Sequence, residues 1–300
     1  MNWLVAVIGP TGIGKTAMSV RLAEALHAPI VSADSRQIYR EMKIGTARPG
    51  EDELSRARFY FVGSASVRDA YSAARYEAEA LPLIASLHTA NPYVILSGGS
   101  MLYVDAVISG IDYIPDVRPE VRARLKERLA TEGLASLTAE LERVDPAYYA
   151  VADLRNPRRV IHALEIYYSS GQLYSSLRVR HVQPRPFRTL KIGLRMERGQ
   201  LYERINSRVD RMMEAGLEDE ARRLWPLRAL PALDTVGYRE LFACFDGLMS
   251  RDEAIEKIKK NTRTYAKKQM TWYKRDEDIL WFEADDYDGI LNFILKETRG

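Results

Sequence analysis

Trp3 to Leu26 reads WLVAVIGPTGIGKTAMSVRLAEAL, an apolar run, a glycine-rich turn and a helical pattern in direct succession. Leu4 to Ile8 lacks polar alternation and is β-branched in part, which predicts a buried parallel strand. Gly9-Pro10-Thr11-Gly12-Ile13-Gly14-Lys15-Thr16 is a full G-x-x-x-x-G-K-T, and behind it Val20, Ala23 and Leu26 share one helical face. Glycines let the backbone turn its N–H groups inward around an anion, and the helix that follows adds the positive end of its dipole. Lys15 supplies a point charge for terminal phosphates, and Thr16 offers a hydroxyl to a phosphate-bound magnesium ion. The stretch therefore predicts a polyphosphate site on the first strand of a parallel sheet.

Working outward, Pro29 to Asp34 reads as a short second strand ending in Asp34-Ser35-Arg36-Gln37. Carboxyl ends of strands in open parallel sheets face the ligand crevice, so Asp34 either points at the phosphate loop or is a solvated turn aspartate. Tyr39 to Arg48 is a loop with Gly45 and basic flanks, and Arg58 to Gly63 is another short apolar run. Asp69 to Leu87 has helical periodicity, with Pro82 expected to kink or break it. Tyr93 to Leu96 is the next buried strand; it ends in Ser97-Gly98-Gly99-Ser100, where the glycines admit a ligand and Ser100 is either a site residue or a plain helix cap.

From Pro115 to about Pro184 buried-strand runs give way to helical segments at Glu120 to Thr131, Leu134 to Val144 and Pro157 to Ser170. Strand signal returns at Thr189 to Met196, so the helical interval reads as an insertion, placed at 122–183 in a core of 1–121 and 184–300. The fold class expected is α/β, a P-loop NTPase-like parallel sheet core flanked by helices with an all-helical insertion. Tyr202 to Leu224 is a long helix interrupted near Gly216, on which Arg204, Arg208 and Arg211 share a face. Asp234 to Leu241 is a turn at Gly237 leading into a helix.

Charge is uneven although the chain totals only +3: Ile255 to Arg275 holds eight Lys or Arg against Glu256, net +7, and 276–300 holds eight acids against Lys296 and Arg299, net −6. On the helix Glu253 to Lys274, Lys260, Lys267 and Lys274 recur every seven residues, opposite a packing row of Ile258, Tyr265 and Trp272. That face is either solvated or a contact for nucleic-acid phosphates. The lone Cys244 allows no internal disulfide and suits a reducing, cytoplasmic setting; no apolar run reaches the ~18 residues of a membrane span. His27, His88, His162 and His181 lack metal-ligand spacing and read as structural, with His162 set apart by its neighbours Arg158 and Arg159.

GPTGIGKT (9–16), SADSRQIYREMKIGTARP (32–49), GGSMLYVDAVISGI (98–111), DPAYYAVADLRNPRRVIHALEIYYSSG (145–171), LYERINSRVDRMMEAGLEDEARRL (201–224), TVGYRELF (235–242) and RTYAKKQMTWYKRD (263–276) together resemble the tRNA dimethylallyltransferases over nearly the whole chain. The resemblance implies transfer of the five-carbon group of dimethylallyl diphosphate to N6 of the adenosine just 3′ of the anticodon, in tRNAs reading codons that begin with U. It implies that the backbone and side chains of Gly9 to Thr16, with Arg208, hold the diphosphate together with Mg²⁺, for which Thr16 and Asp34 are the candidate ligands. It makes Asp34 the base and sets Ser100 against the same site. It also implies tRNA contacts by Asp34, Ser35, Arg36 and Gln37, by Arg122, by Arg158, Arg159, Val160, Ile161 and His162, and by Asp234, Thr235, Val236, Gly237, Tyr238 and Arg239. A monomer with no membrane partner is expected.

The chain departs from the family pattern at Arg36, Ser100, Met101 and His162, and Arg58 to Gly63 stands where a His-His-Leu is usual. A small-molecule kinase would explain Gly9 to Thr16 and Asp34 but neither the insertion nor the basic helix. Free adenine nucleotides as acceptors, or an RNA-binding protein with a degenerate nucleotide site, are further alternatives.

Overall fold

β1 (Trp3–Ile8) is wholly buried, and its side chains alternate between two cores. Val5 and Val7 join the cluster on one face of the sheet, while Leu4, Ala6 and Ile8 join the other. A strand covered on both faces has no use for polar alternation, which is why the run reads as continuous. The computed structural model describes residues 1–179 and 182–298; Arg180, His181, Arg299 and Gly300 lie outside the described residues.

The chain continues as α1 (Lys15–Leu26), β2 (Ile30–Ser32), α2 (Glu51–Arg56), β3 (Phe59–Tyr60), α3 (Ala73–Leu87), β4 (Tyr93–Gly98) and α4 (Met101–Ile108). After the insertion come β5 (Arg188–Arg195) and a helical run that ends in β6 (Leu280–Glu283). The sheet has the order β3-β2-β4-β1-β5-β6, with every pairing parallel. Strand order reverses around β1, so the loop leaving its carboxyl end sits at the crevice where ligands of such sheets bind. Pro82 lies inside α3 and does not break it. Buried Tyr76, Ala80 and Ile84 pack that helix onto the sheet and offset the lost backbone bond.

Residues 109–183 form a separate compact unit. It contains α5 (Pro119–Val144), α6 (Pro146–Tyr149), α7 (Pro157–Ser170) and α8 (Tyr174–Leu177), with a core of its own that includes Val121, Leu125, Leu137, Leu141 and Leu164. The unit begins at Ser109 rather than at the expected Arg122, because the extended segment before α5 belongs to it: the Gln183 amide donates to the Ser109 carbonyl at 2.9 Å. In α5, Gly133 departs from helical geometry at φ 79°, which matches the break expected there.

The last part of the main unit supplies α9 (Arg198–Glu214), α10 (Leu217–Leu224), α11 (Tyr238–Phe245), α12 (Arg251–Tyr273) and, after β6, α13 (Tyr287–Thr298). Gly216 takes φ 94° between α9 and α10, a conformation that ends the first helix and that β-carbon-bearing residues disfavour.

Candidate active site

The phosphate loop leaves β1 and enters α1 through Gly12 (φ 83°) and Gly14 (φ 106°). Gly14 caps α1 without any side-chain bond, and no acidic residue occupies the first turn, so the leading amides are left for an anion. Lys15 curls back, its ammonium donating to the carbonyls of Gly9 (3.1 Å) and Pro10 (2.8 Å). Burial pushes the Lys15 ammonium down to about 8; the carboxylate of Asp34 pulls it up and the Arg208 charge lowers it further. Arg208 is likewise lowered by burial, with Asp34 opposing. Both cations are desolvated, and a ligand's negative charge would repair that.

Asp34 stands two residues beyond β2. Its Oδ1 accepts from the amides of Arg36 (2.9 Å) and Gln37 (3.2 Å), which fixes the carboxylate in an Asx turn. Two cavities of about 220 Å³ each meet at Thr11, Gly12, Asp34 and Arg208. The first is cationic and holds Lys15, Thr16, Arg204, Arg208 and Arg211. The second is lined by Ser100, Thr235 and Tyr265 on one hand and by apolar side chains of α9 on the other. The Ser100 hydroxyl accepts from the Ser35 amide at 2.8 Å, donates to the Ser35 hydroxyl at 3.0 Å, and lines the same cavity as Tyr265. Ser100 thus precedes α4 and its carbonyl takes the amides of Tyr103 and Val104, but its side chain serves the cavity. Burial, with Asp34 adding to it, pushes the Tyr265 phenol up to about 12, so it is a neutral hydroxyl at physiological pH.

Gln37 and Arg36 are used inward. Gln37 donates to the carbonyls of Thr46 and Ala47, and Arg36 reaches the Ala232 carbonyl at 2.8 Å, tying the Asp34 turn to the chain that leads to Asp234. Thr235, Val236 and Gly237 line the second cavity, as Ser35 and Arg36 do. Tyr238 is a correction: expected at a tRNA surface, it is 0% exposed and its hydroxyl donates to Glu220 at 2.7 Å. Its ring fills the space where a Gly45 side chain would stand, with a built Cβ only 2.7 Å from Cζ. Arg239 is exposed and pairs with Asp234 at 3.4 Å.

In the separate helical unit, Val160 is a second correction, since it is a core residue with 0% exposure. Around it, Arg158 and Arg159 are exposed in the first turn of α7, Ile161 is half-buried against the same core and His162 is half-buried, while Arg122 on α5 pairs with Glu165 at 3.2 Å. Helical phase separates Val160 from the arginines, because residues one apart point ~100° away from each other.

On α12, Lys260, Lys267 and Lys274 are exposed as expected. The packing row is corrected at Tyr265: Ile258 is buried and Trp272 packs against the core with its indole donating to Asp105 at 3.0 Å, but Tyr265 turns to the cavity and the buried stripe runs through Ala266, Gln269 and Tyr273. A seven-residue row drifts off a straight helix face by ~20° per repeat, so 3.6-periodic burial replaces it.

Three roles were not anticipated from sequence. Gln269, 1% exposed, accepts from the Thr11 amide (2.8 Å) and donates to the Gly99 carbonyl (2.6 Å), bracing the phosphate loop against the β4 turn. Glu220, also buried, accepts from the successive amides of Lys43, Ile44 and Gly45 as well as from Tyr238. Arg204 and Arg211 join Arg208 at the cationic cavity. The signal for the first two was a polar residue on an otherwise apolar helix face; the arginine row was visible but open to a solvated reading.

A parallel sheet with a glycine-rich loop at its switch point and a fixed carboxylate beside it defines the class, a P-loop NTPase-like fold. A model of the IPP transferase family matches residues 37–276. The chain is 53% identical over 298 residues to tRNA dimethylallyltransferase 1 of Bacteroides thetaiotaomicron, covering 99% of this chain and 97% of that one. It is 45% identical to tRNA dimethylallyltransferase of Christiangramia forsetii, covering 95% and 94%. Among solved structures it resembles full-length tRNA isopentenylpyrophosphate transferase from Bacillus halodurans, at 35% identity and TM-score 0.73 over 99% and 97% of the two chains. A eukaryotic dimethylallyltransferase acting on tRNA, 23% identical with TM-score 0.76 over 96% and 75%, shares the fold. The chain belongs to the IPP transferase family.

Proposed function

We infer that this protein transfers the dimethylallyl group of dimethylallyl diphosphate to N6 of the adenosine 3′-adjacent to the anticodon, in tRNAs reading codons that begin with U. The observation that carries this reading is the position of Asp34, on the border between a cationic cavity and one of mixed hydroxyl and apolar lining. The exocyclic amine of adenine is a poor nucleophile because its lone pair is delocalised into the ring. As N6 attacks C1 of the allylic group, the C1–O bond breaks with its electron pair on the diphosphate, and the N6 proton passes to the Asp34 carboxylate. A positioned base of this kind is worth ~10²–10⁴-fold. Lys15, Arg208 and the amides of the α1 N-terminus stabilise the charge that develops on the leaving oxygen.

Thr16 and Asp34 share the cationic cavity and, with phosphate oxygens, make an oxygen set suited to Mg²⁺. When bound, that ion would offset diphosphate charge. The adenine must leave its stack to reach Asp34, and the exposed lysines of α12 supply sequence-independent contacts for the tRNA backbone. The exposed Arg158 and Arg159 offer the same chemistry on the helical unit. We read the protein as a monomer, and as cytoplasmic because its acceptor would be tRNA; among the described residues no helix is long and apolar enough to cross a membrane.

Incubation with labelled dimethylallyl diphosphate, Mg²⁺ and total tRNA, followed by nucleoside analysis, should give N6-dimethylallyl adenosine. Label on free adenine nucleotides alone, or phosphoryl transfer without prenyl transfer, would overturn the assignment.

A further inference from the structure

α9 offers two adjacent rows of side chains to the two cavities. Arg204, Arg208 and Arg211 line the cationic one; Ile205, Val209 and Met212, each one residue further on, line the other. Adjacent residues lie ~100° apart around a helix, so a single element presents guanidinium groups to one compartment and hydrocarbon to the next. Leu217, the first residue of α10, lines the same cavity and is itself fully buried. A ligand that spans the shared border at Asp34 and Arg208 therefore needs a polyanionic head and a short apolar tail.

We propose that Val209, Met212 and Leu217 form the end wall for the donor's hydrocarbon chain and hold that chain to five carbons. This inference rests on the transfer reaction given above and adds the determinant of donor length. Within the second cavity the two ligand parts sort by chemistry. Ser100, Thr235 and Tyr265 present hydroxyls that a purine edge can satisfy and a hydrocarbon cannot. Val209, Met212 and Leu217 present no strong donor or acceptor, and they continue the face that begins beside the arginine row. Val209 and Leu217 are buried in the core behind this wall, so a chain five carbons longer that pressed against it would have to displace packed side chains. Met212 is the adaptable member, unbranched and only partly buried, whereas Leu217 is locked in the core.

The test is a competition with tRNA as acceptor and equal dimethylallyl and geranyl diphosphate as donors, products being separated by mass. Wild type should make the five-carbon product almost alone. Met212→Ala should raise the ratio of ten-carbon to five-carbon product by about tenfold or more, the scale on which hydrophobic pockets discriminate chain length, and Met212→Leu should return it toward wild type. Val209→Ala, which removes less volume, should move the ratio the same way. An unchanged ratio in both alanine variants overturns the proposal, and an accompanying rise in KM for tRNA would assign the wall to the purine instead. Wild type that transfers neither chain would sink the reaction itself, a different outcome from an active enzyme whose chain preference does not move.

Discussion

Asp34 is held by the amides of Arg36 and Gln37, two and three residues on, so its carboxylate reaches the border of the cavities already oriented. Asp34→Asn keeps an acceptor oxygen for those amides while losing the base. Single-turnover transfer should slow by ~10²–10⁴-fold, with diphosphate affinity measured without Mg²⁺ changed far less; an unaltered rate would remove Asp34 from the proton transfer. Lys15 gives a second prediction at this scale. Its ordinary value is 10.5, and burial brings it to about 8. Below that pH the free enzyme carries the ammonium that meets the diphosphate; above it the side chain is neutral. kcat/KM for the donor should therefore be level below about pH 8 and fall as pH rises through it, since that ratio reports the free enzyme. Lys15→Arg, weaker throughout, should lose this limb because guanidinium keeps its proton. Level behaviour to about pH 10 in wild type would contradict the buried-cation account, because an unperturbed lysine holds its proton to about 10.4.

Among the elements, α10 acts at a distance from its own backbone. Through Glu220 it holds the amides of 43–45, and Thr46 and Ala47, the residues that follow, give their carbonyls to Gln37 and Arg208. Glu220→Ala leaves a buried phenol and three partly buried amides without their acceptor. At ~1–3 kcal/mol for a group so stranded, the loss should reach at least about 3 kcal/mol in a melting experiment. Donor KM should rise with it, as the walls set by Gln37 and Arg208 loosen; a variant that melts like wild type would show the nest to be incidental. For α12, replacing Lys260, Lys267 and Lys274 with Ala should weaken tRNA binding and lower the slope of log affinity against log salt by about one for each phosphate left unneutralised. A slope that stays put would mean these lysines are only solvated.

At the scale of the whole molecule, the chain is two units with separate cores, and a defect in one need not spread to the other. Leu137→Ala, in the fully buried centre of the helical unit, should cost ~2–5 kcal/mol of packing. Hydrogen exchange should then speed up within 109–183 while β1 and α1 keep their protection, and diphosphate binding should persist as transfer to tRNA falls. Faster exchange throughout would show that the units fold as one.

The run from Trp3 to Leu26 was legible because everything it needs is local: continuous apolar residues make a buried strand, glycines permit positive φ, and the helix that follows supplies amides and dipole. The interruptions at Gly133 and Gly216 were legible for the same reason, as was the helical character of the insertion. Tertiary structure decided the rest. Gln269 meets the Thr11 amide across 258 residues, and Glu220 meets the Lys43 amide across 177. No periodicity encodes such a partner, because helical phase says which face is buried and not what lies against it. Burial of Tyr238 and Val160 took two polar-looking motifs partly into cores, and a backbone bond between Gln183 and Ser109 joins the ends of a unit that starts well before Arg122. Local sequence determines conformation within a few residues; which distant groups satisfy one another is settled only when the layers pack.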